Sequence, residues 1–278
     1  MAVMRVIDAQ VHTYERNHKA RPWIGELTGP EEVTGDNMVE EMDRVGVDGA
    51  ILVSPWSMYR YDASYAVDVF KKFPNKFRLV KPVDPNDYEV SEIIQEWAKI
   101  RGAVAVRLMR AYADSGNISD VGLDRVMETA SRCNFPVNLL CWGNLKEIGC
   151  LAKRYPNTRL VIDHLGLWQP FDFPVPDQPF LELQNVLELA NFDNIAIKIT
   201  GACTLSHQSF PYTDIWEPLE KIFTRYSLER CMWGTDWTRA VKLVSYKESV
   251  DCFLDNSSLS ADEKSQLMGK TVENIYGW

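Results

Sequence analysis

One pattern recurs along the chain: a short apolar, β-branched run, then a longer segment whose apolar positions repeat at helical spacing. The runs at 4–11, 49–53, 77–81, 103–108, 136–141, 159–163, 195–199 and 231–234 predict strands. The segments at 36–45, 61–73, 90–100, 120–133, 145–155, 180–190, 212–226 and 241–254 predict helices. The punctuation agrees with this division. Asp36 is placed to cap the first helix and Gly46 to stop it, while Pro74 and Pro156 break two others. A last helix opens at Ser260, where Ser260-x-x-Glu263 reads as a capping box.

Strict alternation of strand and helix implies right-handed crossovers and a parallel sheet, hence an α/β fold. Eight β-α units in 278 residues favour a (β/α)8 barrel with an additional C-terminal helix. Periodicity alone leaves an open doubly wound sheet as the alternative. No Pro/Gly/Ser-rich linker interrupts the pattern, so residues 1–278 are read as one domain. Two strand-to-helix connections, 12–35 and 166–179, are long and rich in aromatic residues and proline. Loops of that length in a compact domain are usually functional, which predicts lids or pocket walls.

Composition narrows the class of partner. With 30 Lys+Arg against 39 Asp+Glu the net charge is -9, which argues against nucleic acid or an anionic membrane surface. A small anionic substrate needs only a few local arginines and stays open, as does assembly into a homo-oligomer. No stretch approaches the roughly 20 apolar residues of a membrane span. Met1-Ala2-Val3-Met4-Arg5 leads into the first strand without the regions of a signal peptide. The six cysteines form no C-x-x-C pair, so reduced thiols in a cytoplasmic protein are expected rather than disulfides or a zinc cluster.

In a parallel barrel the chemistry sits at the C-terminal ends of the strands. Strand one ends in Asp8-Ala9-Gln10-Val11-His12, and strict alternation places Asp8, Gln10 and His12 on one inward face. Strand four supplies Arg107 and Arg110, strand six Asp163-His164, strand seven Lys198-Ile199-Thr200, and strand eight Asp236 and Arg239. The chain has four histidines, and two of them fall at strand ends. Trp56, Tyr59, Trp142 and Trp168 follow strands two, five and six and are candidates to line a pocket. No G-x-S-x-G, Walker A or G-x-G-x-x-G motif is present.

The set Asp8-Ala9-x-x-His12, Val161-Ile162-Asp163-His164-Leu165-Gly166 and Met232-Trp233-Gly234-Thr235-Asp236-Trp237 resembles the amidohydrolase superfamily. Within it the pattern is most similar to the amidohydrolase 2 branch, and the ending Asn274-Ile275-Tyr276-Gly277 fits that branch too. The short strand-six and strand-eight signatures resemble its lactonases, sugar-lactone and 2-pyrone-4,6-dicarboxylate lactonases, more than its decarboxylases. The resemblance implies a hydrolase of cyclic esters. It also implies a metal set, of which this chain retains His12, His164 and Asp236. Departures are plain: Gln10 replaces the first histidine of H-x-H, Arg107 stands where a Lys or Glu ligand is usual, and strand five has no histidine. Three protein ligands can still hold a catalytic zinc or manganese. The substitutions nevertheless predict that no cofactor is obligatory.

The expected chemistry is hydrolysis of a small, carboxylated lactone. Asp236 is the candidate base for water, and His164 and His12 are candidates to polarise the carbonyl or protonate the leaving oxygen. Arg107 and Arg239 are candidates to hold a substrate carboxylate, and Gln10 to donate to a substrate oxygen. Each has a structural alternative. Asp236 would cap the following helix, Asp163 would partner His164, Arg107 would pair inside the barrel, and Arg110 and Arg239 would be solvated rim charges. His18 and His207 lie in loops and are given no role. Metal-dependent decarboxylation and non-catalytic ligand binding are the alternative functions.

Overall fold

The short apolar runs are buried along their whole length, because both faces of a parallel barrel sheet are covered. In the computed structural model, which describes residues 4–27, 29–112 and 121–278, they form strands β1 (Ile7–Val11), β2 (Gly49–Val53), β3 (Phe77–Pro82) and β4 (Ala103–Leu108). Strands β5 (Val137–Leu139), β6 (Leu160–Ile162), β7 (Ile195–Lys198) and β8 (Cys231–Met232) complete the set. All pair in parallel, in chain order from β1 to β8. The seam between the last and first strands is closed by Ala9 N–H donating to Trp233 O at 3.1 Å and Asp236 N–H to Gln10 O at 3.1 Å. The sheet is thus a (β/α)8 barrel, as expected, and the open alternative is excluded.

Two apolar layers follow from the alternation. Ile7, Ala9, Ile51, Val53, Val80, Ala105, Val161, Ala196 and Met232 fill the barrel interior. Leu52, Leu79, Val106, Leu139, Ile162 and Ile197 point outward against the helices. The helical ring comprises α1 (Gly35–Val45), α2 (Trp56–Tyr59), α3 (Ser64–Lys72), α4 (Val90–Ala98), α5 (Val121–Arg132) and α6 (Leu145–Arg154). It continues through α7 (Leu183–Leu189), α8 (Trp216–Tyr226), α9 (Trp237–Ala240) and α10 (Tyr246–Leu254). Helices α11 (Ala261–Ser265) and α12 (Thr271–Tyr276) are joined by a π-helical turn, Gln266–Lys270. This C-terminal segment closes the barrel floor, where Val272 and Tyr276 join the interior cluster. Tyr276 Oη donates to Asn138 Oδ1 at 3.0 Å there.

Several local expectations are corrected. Thr34, not Asp36, caps α1, in a capping box with Asn37; Gly46 ends it with φ 76° as expected. The box satisfies two backbone donors where Asp36 would meet one, and Asp36 instead pairs with Lys72 at 2.7 Å. The expected start of α5 at Asp120, like Met1-Ala2-Val3, lies outside the described residues. The short helices α2 and α9 had no periodic signal, being one turn each. The Ser260–Glu263 capping box is present. The cysteines are free thiols, four of them buried.

Candidate active site

The site begins with a defect in β1. Asp8 pairs with Ala50, but the next pairing is Val11 with Leu52, so β1 carries one extra residue. Such a bulge shifts the side-chain alternation by one. Ile7 and Ala9 point into the barrel below it, and Gln10 and His12 point inward above it. Asp8 therefore does not share their face, contrary to strict alternation. Its Oδ1 accepts from Thr235 N at 2.9 Å and Gln10 N at 3.0 Å, and its Oδ2 from Thr235 Oγ1 at 2.5 Å. Burial, opposed by those hydrogen bonds, still raises its pKa to about 6.

At the strand ends a cavity of about 300 Å³ opens, and His12, Arg107, His164, Asp236 and Arg239 all reach its wall. Trp56 and Trp142 line it as expected. Both long loops contribute: Glu26 and Leu27 from the first, Leu167, Gln169 and Phe171 from the second. Tyr59 is instead buried behind the wall, its hydroxyl accepting from Glu15 N at 3.2 Å. Trp168 turns outward and is 47% exposed, because the adjacent Leu167 and Gln169 take the inward positions.

Hydrogen-bond partners settle the imidazole tautomers. His12 Nδ1 lies 2.7 Å from Val53 O, which can only accept, so Nδ1 carries a proton and Nε2 is left facing the cavity side. That Nε2 stands 3.2 Å from Asp236 Oδ1, a buried carboxylate oxygen with no other partner among the described residues. A proton held between these two atoms satisfies both. His164 also carries its proton on Nδ1. Its Nε2 faces two donors, Gln10 Nε2 at 3.1 Å and Arg107 Nη2 at 3.4 Å, while Nδ1 points to Thr200 Oγ1 at 3.0 Å. The Gln10 amide is oriented in turn by Lys198 Nζ, which donates to Oε1 at 3.0 Å. Burial first, and the Arg107 and Arg239 charges after it, lower the His164 pKa to about 3 against the pull of Asp236 and Asp163, so the ring is neutral at pH 7.

The cations are tied to acids. Arg107 Nε donates to Asp163 Oδ2 at 2.7 Å, and Lys198 Nζ lies 3.0 Å from Asp163 Oδ1. Burial opposes ionisation of Asp163, but Lys198 and Arg107 prevail and lower its pKa to about 2. Asp163 therefore partners these two cations and not His164. Arg239 donates from Nε to Asp236 Oδ2 at 2.5 Å, from Nη1 to Pro170 O at 2.6 Å and from Nη2 to Gln169 Oε1 at 2.8 Å. Arg110 is buried against Glu147. Neither Arg110 nor Arg239 is the solvated rim charge expected, because each is drawn inward by a carboxylate. Asp236 begins α9 but makes no capping bond with its side chain. Burial pushes its pKa up, yet His164, Arg239 and the His12 contact hold it well below the usual carboxylate range.

Asp236 and His164 also share backbone strain. Asp236 has φ 51°, and His164 and Leu165 have φ 54° and 57°, conformations that non-glycine residues rarely adopt. Sequence reasoning had left Lys198, Thr200, Gln169 and Glu26 without roles. The single available signal was Lys198, a charge ending the otherwise apolar run Ile195-Ala196-Ile197.

The donor set tests the metal that the resemblance implies. His12 Nε2 and Asp236 Oδ1 converge, but His164 presents no free lone pair to them, and Arg239 already occupies Asp236 Oδ2. Among the described residues no group of three His, Cys, Asp or Glu is arranged to hold a metal ion. Two donors beside two guanidinium groups do not fit a three-ligand catalytic site.

Ionisable side chains gathered at the strand C-termini of a parallel barrel are the arrangement of a barrel enzyme. The chain belongs to the amidohydrolase family, whose description matches residues 9–278. Among curated proteins it is similar to a 4-sulfomuconolactone hydrolase of Hydrogenophaga intermedia, 26% identical over 89% of this chain and 80% of that one. Among solved structures, a probable 2-pyrone-4,6-dicarboxylic acid hydrolase of Acinetobacter baumannii with citric acid bound has a TM-score of 0.78 at 19% identity, covering 99% of this chain and 100% of that one. A zinc-bound amidohydrolase of Burkholderia multivorans has a TM-score of 0.81 at 19% identity, covering 98% and 99%. These two structures share the fold.

Proposed function

We propose that this chain hydrolyses a small carboxylated lactone, using His12 and Asp236 together as the proton acceptor for the attacking water. The observation that carries the reading is the approach of His12 Nε2 to Asp236 Oδ1 at 3.2 Å, with no other partner for either atom among the described residues. A carboxylate whose pKa is held so low is a weak base alone. With His12 Nε2 facing it, a proton taken from water can be shared between nitrogen and oxygen across the gap, which satisfies both atoms.

Water adds its oxygen to the lactone carbonyl as its proton passes into this gap. The tetrahedral intermediate collapses by breaking the ring C–O bond, and the departing oxygen takes the proton back, leaving an open-chain hydroxy acid. Arg107 and Arg239 make the wall electropositive where the carbonyl oxygen gains charge. Arg107 seats the substrate's acid group. His164, neutral and held by Gln10 and Arg107, positions the Asp236 side chain from 3.8 Å away. The name of the curated relative, a 4-sulfomuconolactone hydrolase, supports the choice of bond.

The test is acid release from a lactone panel by the wild-type chain and Asp236→Asn, with and without prior chelation. Turnover is expected to survive chelation and to fall by roughly 10²–10⁴ in the variant, the usual loss for a general base. Near-wild-type turnover in Asp236→Asn would remove the pair from the mechanism.

A further inference from the structure

Within that reading, we infer that the pocket is built for a lactone bearing one acid group, seated on Arg107, and that Glu26 at the mouth rejects a second. The cavity wall is asymmetric in its donors. Arg239 has all three nitrogens engaged by Asp236, Gln169 and Pro170. Arg107 spends Nε on Asp163 and directs Nη2 toward His164, so among the described residues Nη1 has no protein partner. It is the one cavity-lining guanidinium with a nitrogen uncommitted among them. A carboxylate can dock there end-on.

The rest of the wall carries no further Lys or Arg. Trp56 stacks on Tyr112 at 5.4 Å with 12° between planes, and Tyr112 meets Trp142 edge-on at 5.6 Å. This aromatic surface suits a flat, apolar ring face. Arg60 packs on Trp56 with its guanidinium 4.0 Å from the ring and does not line the cavity. Glu26 does line it, is exposed, and has no ion-pair or hydrogen-bond partner among the described residues. Residues 1–3, 28 and 113–120 include no Lys, Arg or His that could add a cation. A second acid group on the substrate would thus meet uncharged side chains or a carboxylate in place of a cation, at an electrostatic cost.

Two readouts test this. The first is kcat/KM for matched lactones with one or two carboxylates. The second is calorimetric binding of the matching lactams, with recovery of the intact lactam checked after each titration. The wild type is expected to favour the monoacid roughly 3- to 10-fold in both, and less so at high salt. Glu26→Gln narrows the ratio and Glu26→Lys reverses it, with unchanged melting temperature since Glu26 is exposed. A wild type that prefers the diacid, or a ratio indifferent to both substitutions, overturns the inference. Diacid lactones hydrolysed as well as monoacids sink it while keeping the lactonase reading. A monoacid preference in lactam binding without any lactone turnover supports it and sinks the lactonase reading instead. Failure to bind either lactam overturns both.

Discussion

His12 and Asp236 illustrate how a single hydrogen bond can define a site. The Val53 carbonyl engages Nδ1 of His12 and so turns Nε2 toward Asp236 Oδ1 at 3.2 Å. Arg107 is the second decisive residue, shared between Asp163 and the cavity. Arg107→Met is expected to raise KM strongly for an acidic lactone and little for its neutral ester. Equal losses on both substrates would assign Arg107 to structure alone. Asp8 makes a separate prediction about stability. Its folded pKa of about 6 exceeds the unfolded value of 3.8, so the native state binds the proton more tightly. Its contribution is therefore fully present below pH 4 and is lost as pH rises through 6. Asp8→Asn should remove roughly 2–3 kcal/mol of this pH dependence between pH 4 and 6. Melting curves of both proteins across that range check it; parallel curves would refute it. The opposite trend from neutral His164, destabilising as pH falls from 6.5 toward 3, is common to both proteins and cancels in the comparison.

At the scale of elements, the bulge in β1 is what re-aims the chain. One extra residue between Asp8 and Val11 sends Asp8 toward Thr235 and brings Gln10 and His12 inside. The Lys198–Gln10–His164 chain then links the ends of three strands, β7, β1 and β6, through hydrogen bonds. Helix ends are satisfied by three capping boxes, at Thr34, Ser245 and Ser260. Thr34→Ala should cost about 0.5–2 kcal/mol in denaturant unfolding while leaving turnover unchanged, since Thr34 does not line the cavity. A larger loss, or a change in turnover, would mean that α1 supports the first loop and its Glu26 lip. Elements longer than two turns were legible from periodicity, whereas α2 and α9 were too short to show a period.

For the whole molecule, closure is the property that matters. The β8–β1 seam depends on the backbone bonds of Ala9 and Asp236, so the catalytic candidate also helps to close the barrel. The floor is plugged by α12, whose Val272 and Tyr276 cover the interior cluster. Removing residues 271–278 should expose Ile7, Ile51 and Val161 and abolish cooperative thermal unfolding. A truncated chain melting like the full one would show the plug to be dispensable. The net charge of -9 is carried outside the cavity, whose wall holds two arginines and two acids.

Patterning by itself determined the eight β-α units, the barrel, the C-terminal helix and the strand ends where chemistry would gather, because these depend on local period and chain order. It also placed His12, Arg107, His164 and Asp236 at one mouth. Tertiary structure alone decided what each can do. Bulges, tautomers, saturated guanidinium groups and the loop that supplies Glu26 arise from contacts between residues far apart in the chain, such as Gln10 with Lys198 and His12 with Asp236. No local period encodes those distances.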